Sequence, residues 1–131
     1  MVLWDKPMQY MLLIYDEEKK WEIAGKAAHC DAQCDAAKVA QDLAAKGQYL
    51  LAAPLEPTRL TRSVRVTQGK PLVTDGPFAE TREQLGGFFL IDVNTVEEAT
   101  QIATRIMAMH DGVVEIRPVM PMTGLPEPGL K

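Results

Sequence analysis

The chain has 131 residues, of which 47% are hydrophobic and 24% charged, with two cysteines and a net charge of -4. These values fit a single globular domain, exclude a disordered or fibrous chain and a disulfide scaffold, and argue against a surface built to neutralise nucleic-acid phosphates or anionic lipid. No basic stretch leads into a long apolar run, so the cytoplasm is the expected address, with neither membrane nor nucleic acid as partner.

Residues 1–7 read as an N-terminal arm and 8–119 as the domain. Within it Met8 to Tyr15 is a strand, a run of large and aromatic side chains between Pro7 and Asp16-Glu17-Glu18. Glu17 to Lys46 lacks proline and is rich in Ala, Lys, Glu, Gln and Asp, which predicts helix, as two pieces broken near Gly25 to Asp31. Ala36, Val39, Ala40 and Leu43 form the apolar stripe of the second piece, and Gly47 stops it.

Gln48 to Ala53 is a second strand, ended by Pro54-Leu55-Glu56-Pro57. Thr61 to Thr67 alternates, with Val64 and Val66 opposite Ser63, Arg65 and Thr67, and reads as a half-exposed strand. Gln68-Gly69-Lys70 turns it into the short strand Pro71 to Thr74. A loop from Asp75 to Gln84 precedes the apolar strand Gly87 to Val93. Thr95 with Glu98, or Asn94 with Glu97, forms a capping box for a helix whose buried face is Ala99, Ile102, Ala103 and Ile106. Val113 to Val119 is the last strand, and residues 120–131 form a proline-rich tail.

Two βαβ halves carrying an inserted hairpin make an α+β, ferredoxin-like βαββαβ arrangement with an antiparallel sheet. Both helices then lie on one sheet face, yet the central strands are apolar on two: Tyr10, Leu12 and Ile14 oppose Met11, Leu13 and Tyr15, and Phe88 and Leu90 oppose Phe89 and Ile91. A second apolar face needs cover, which predicts a homodimer.

The run Val73-Thr74-Asp75-Gly76-Pro77-Phe78-Ala79-Glu80-Thr81-Arg82-Glu83-Gln84-Leu85-Gly86-Gly87-Phe88-Phe89 resembles the signature of the YCII-related family, in its DGPF branch. The resemblance extends to Tyr10-Met11-Leu12-Leu13-Ile14-Tyr15 and to Val114-Glu115-Ile116-Arg117-Pro118. It implies a ferredoxin-like domain forming a dimeric α+β barrel. It also implies kinship with small-molecule enzymes, among them a dehydrochlorinase acting on a chlorinated hydroxyhydroquinone, whose proposed acid/base pair is a His with the motif's Asp. Asp75 matches that aspartate, while the place of the histidine falls near Ala36, with His29 upstream of it. The branch is further associated with alternative sigma factors, which implies a regulatory or binding role as the other reading.

The candidate site residues are therefore Asp75 as acid or base, Glu80 assisting from the same loop, and Arg117 and Tyr15 holding a small anionic or phenolic ligand. Asp75 could equally tie its own turn, and Arg117 could form a cross-strand ion pair, with Arg65 and Glu115 as its neighbours. His29, Cys30 and Cys34 sit too much on one helix to complete a zinc tetrahedron, so no metal is expected and the thiols are read as reduced. His110 is expected to meet the free carbonyls of a helix end. Gly86-Gly87 precedes a strand rather than a helix, and Ser63, the sole serine, has no nucleophile elbow around it, so no cofactor is expected. The function read from the sequence is a cofactor-independent lyase or hydrolase, or else a non-catalytic dimeric binding module.

Overall fold

The structure, a computed structural model, describes residues 8–108 and 110–126. The expected arm at 1–7 and the last part of the expected tail lie outside the described residues. Ten elements follow in chain order: β1 (Met8–Asp16), α1 (Glu18–Ala24), α2 (Lys26–Ala45), β2 (Tyr49–Pro54), a 3-10 turn (Thr58–Leu60), β3 (Arg62–Thr67), β4 (Lys70–Asp75), β5 (Gln84–Val93), α3 (Val96–Ile106) and β6 (Val113–Pro118).

Four strands make an antiparallel sheet in the order β2-β5-β1-β6, the ferredoxin-like arrangement expected from the sequence. The helices cover one face of it. Tyr10 and Leu12 of β1 and Phe89, Ile91 and Val93 of β5 point to that face and meet Val39 and Leu43 of α2 and Ala99, Ala103 and Ile106 of α3. Leu12 and Ile91 are fully buried, each burial stabilising the fold by roughly 1.5–3 kcal/mol. Among the described residues no helix is long and apolar enough to cross a membrane.

The helical stretch breaks at Gly25 alone, where φ is +91°, so α2 starts at Lys26 and is longer than expected. Of the two capping boxes, Thr95 is the one used: its hydroxyl oxygen accepts the Glu98 N–H at 3.2 Å. β5 begins three residues before Gly87, and Gly87 sits where a Cβ would come within 3.1 Å of the Ala53 carbonyl. The β1–β5 register shifts between Ile14 and Tyr15, opposite Gly86-Gly87.

The hairpin departs further from expectation. β3 and β4 bond only each other, through a two-residue turn with φ of +52° at Gln68 and +77° at Gly69. Val64 and Val66 are both 63% exposed, so β3 is open on both faces instead of half-covered. The reason is topological, because the hairpin is a separate two-stranded sheet that never joins the four-stranded one.

Candidate functional site

A pocket of about 860 Å³ opens at the end of β1 between the helices and the β2 side of the sheet. Its inner wall is small and apolar, with Ile14 of β1, Ala32, Ala36 and Ala40 of α2, Ala52 of β2 and Ile106 of α3. Alanines on one stripe of α2 leave the space that larger side chains would fill.

Asp16, the last residue of β1, supplies the polar centre of the wall. Its side chain is 14% exposed, and Oδ2 accepts the indole N–H of Trp21 at 2.9 Å. The same oxygen stands 3.9 Å from Nε2 of His110. The Trp21 ring is close to two imidazoles, its centroid 5.3 Å from that of His29 and 5.5 Å from that of His110. Two glycines make the room: a Cβ at Gly86 would fall 3.1 Å from Asp16 Oδ1, and one at Gly112 would fall 2.6 Å from the Tyr15 carbonyl.

His110 thus faces a carboxylate and not the carbonyls of a helix end. The chain leaves α3 at Ile106 and doubles back into β6, which carries His110 over the end of β1. The mouth of the pocket is braced as well. Glu18 accepts the Thr58 N–H at 2.9 Å and the Thr58 hydroxyl at 3.0 Å, while Gln84 Oε1 accepts the Glu18 N–H at 2.9 Å. This fixes the 3-10 turn that places Arg59 on the pocket wall, where it pairs with no carboxylate among the described residues.

The residues read from the sequence lie elsewhere. Asp75 is the last residue of β4, its side chain 89% exposed, with Oδ1 accepting the Arg62 Nε–H at 3.3 Å. It ties the base of the hairpin and does not line the pocket. Glu80 is exposed on the following loop. Tyr15 and Glu115 line a second, shallower groove on the opposite sheet face, where Arg117 is close enough to act on the phenol. A hydrogen bond with the Glu115 carboxylate, then desolvation, hold the Tyr15 phenol above its ordinary value, and the Arg117 charge opposes them. Among the described residues Arg117 forms no ion pair, and Arg65 is no cross-strand neighbour of it, since Arg65 belongs to the separate hairpin. Cys30 and Cys34 are exposed free thiols on α2. Among the described residues no three His, Cys, Asp or Glu side chains converge as a metal site requires.

Sequence reasoning passed over Asp16 and Trp21. The only signal was the polar triplet Asp16-Glu17-Glu18 closing an apolar strand, which is also how an ordinary strand end looks.

The chain matches the family model of the YCII-related domain over residues 8–123. It is also 33% identical over 114 residues to uncharacterized protein R00369 of Rhizobium meliloti (strain 1021), covering 86% of this chain and 92% of that protein.

Proposed function

The chain belongs to the YCII-related domain family, and on that premise we propose that it is a cofactor-independent small-molecule enzyme, a lyase or hydrolase that moves a proton in the pocket at the end of β1. The observation that carries the reading is the Asp16 carboxylate, held by Trp21 and facing His110 in a pocket whose inner wall is apolar. Imidazole exchanges protons near neutral pH, and a carboxylate beside it orients the ring and stabilises its protonated form. In this reading His110 takes a proton from the bound molecule and returns it to the leaving group. Asp16 orients His110, Trp21 fixes Asp16, and Arg59 receives the anionic or phenolic end of the ligand.

The acid/base role that the motif resemblance would give Asp75 passes in this proposal to Asp16 and His110. Asp75 and Glu80 stand outside the pocket in a single chain, and Asp75 already has Arg62 as its partner. Membership of the DGPF branch is part of the same proposal and rests on the run around Asp75. So is a homodimer, in which Met11, Leu13, Phe88 and Leu90, half-buried on the sheet face away from the helices, pack against their copies.

A thermal-shift screen of phenols, quinols and small organic acids, run on wild type, Asp16→Asn, His110→Gln and Asp75→Asn, tests the assignment. Hits that shift wild type and Asp75→Asn alike, but not Asp16→Asn, are expected. For any hit that is turned over, His110→Gln should lower turnover about 10²–10⁴-fold. Loss of turnover in Asp75→Asn alone would move the chemistry to the hairpin, and equal behaviour of Asp16→Asn and wild type for every hit would end the proposal.

A further inference from the structure

We infer that the ligand of this pocket is a long-tailed amphiphile, an acid or phenol whose extended apolar chain lies in a cleft between α2 and the edge strand β2. The inference rests on the ligand site proposed above and adds to it the body of the ligand. Gly47 and Gln48 turn the chain from α2 straight into β2, and the Gln48 N–H donates to the Leu43 carbonyl at 2.9 Å. The two elements therefore run side by side in opposite directions, the end of α2 beside Tyr49 and its start beside Pro54. The proton-moving groups stand at the Pro54 end: the Leu55 N–H donates to the Gly86 carbonyl at 2.9 Å, and Gly86 packs against the Asp16 carboxylate.

The cleft stays open because α2 is propped off the sheet next to a row of alanines. Val39 and Leu43 are buried in the core and hold the helix at its distance, while Ala32, Ala36 and Ala40, four residues apart, line the cleft beside them. Across the cleft stands Ala52, whose strand partner Phe89 lies on the helix-covered face of the sheet. Single carbons thus occupy places where a packed core would carry larger side chains. From His29 to Ala40 the helix rises in eleven steps of about 1.5 Å, and from Pro54 to Tyr49 the strand runs five steps of about 3.3 Å, so both walls give a length of roughly 16 Å.

The distribution of polarity selects the ligand. Asp16, His110 and Arg59 gather at the mouth, and the inner wall beyond them is apolar as far as Tyr49; Lys26 and Asp35 of α2, which also border the cleft, are exposed at its rim. An apolar space of this kind takes apolar matter in preference to water, and about 860 Å³ matches a site that encloses most of a drug-sized molecule. The occupant is therefore polar at one end, held by Arg59 near His110, and apolar along the rest. A single-ring phenol would leave much of the length empty. An extended chain advances about 1.2 Å per bond, as the backbone does at up to about 3.6 Å for three bonds, so the cleft holds a chain of about a dozen bonds.

Titration calorimetry on the full chain tests this with straight-chain carboxylates from hexanoate to tetradecanoate, each below its micelle concentration, on wild type, Ala40→Leu, Tyr49→Ala and Arg59→Gln. Circular dichroism first establishes that each variant is folded. In wild type each added methylene is expected to tighten binding about two- to fourfold until the chain reaches Tyr49, and no further beyond it. Ala40→Leu should bring that limit to shorter chains and Tyr49→Ala should move it to longer ones, both leaving hexanoate unchanged. These two variants act in opposite directions, so either one that folds decides the matter. Arg59→Gln should weaken every length alike, by about tenfold. Binding that ignores chain length in wild type, a limit that stays in place in the variants, or no binding of any of the acids would overturn the inference, and none of these touches the acid/base pair proposed for the function. Limits that move as described while Arg59→Gln binds every length like wild type would support the cleft and overturn the role given to Arg59 in the proposed function.

Discussion

Trp21 donates its indole N–H to the Asp16 carboxylate at 2.9 Å, joining the middle of α1 to the last residue of β1. α1 buries none of its own residues, so this bond is a main tie of the helix to the sheet. Trp21→Phe should lower stability by roughly 1–3 kcal/mol, the usual worth of a hydrogen bond to a charged group in a partly buried place. Urea unfolding measures it, and a change within error of zero would mean that the bond is not formed in solution.

Gly86 and Gly112 bracket the same carboxylate, and their substitutions should differ in a definite order. A Cβ at Gly112 meets backbone, the Tyr15 carbonyl at 2.6 Å, while one at Gly86 meets the end of a side chain, Asp16 Oδ1 at 3.1 Å. Gly112→Ala should therefore cost roughly 1–3 kcal/mol and Gly86→Ala less, because a side chain yields more easily than a strand. Gly86→Ala should still displace Asp16 and weaken any ligand of the pocket. Equal melting temperatures for the two variants would contradict this packing.

Glu18 braces the pocket mouth by two hydrogen bonds from Thr58. Glu18→Gln keeps the shape but gives up one acceptor and the charge, so a loss of about 1 kcal/mol is expected, with faster amide exchange across Thr58 to Thr61. Unchanged exchange at those amides would show that the turn is held by other contacts.

The Tyr15 phenol ionises above its ordinary value of 10.0, chiefly through its hydrogen bond with Glu115. A raised folded-state pKa means that its contribution to stability is complete below the unfolded pKa and is lost as pH rises through the folded one. Absorbance titration of the Tyr15 phenol should show it ionising late, and Glu115→Gln should bring it back toward the ordinary value. A titration curve that Glu115→Gln leaves in place would refute the pairing.

Much of the fold was legible in the sequence because it depends on local pattern. The apolar runs at Met8 to Tyr15 and Gly87 to Val93, the stripe of Val39 and Leu43, and the Thr95 cap each fix an element through neighbours a few residues away. The Asp75-Gly76-Pro77-Phe78 run led to the family that the comparison then showed. The site was hardly legible. Asp16, Trp21 and His29 lie in neighbouring elements but His110 comes from the other end of the domain, and only the closure of the sheet and the return of the chain after α3 bring it to their pocket.

Sequence by itself therefore determined the order of elements, the two apolar faces of the central strands and the family, since all three are written in spacing along the chain. Tertiary structure alone decided that Asp75 stands on an exposed arm with Arg62 while Asp16 meets Trp21 and His110. The physical reason is that a carboxylate's surroundings are set by what folds against it, and the partners of Asp16 come from a helix and a loop whose approach no local pattern encodes.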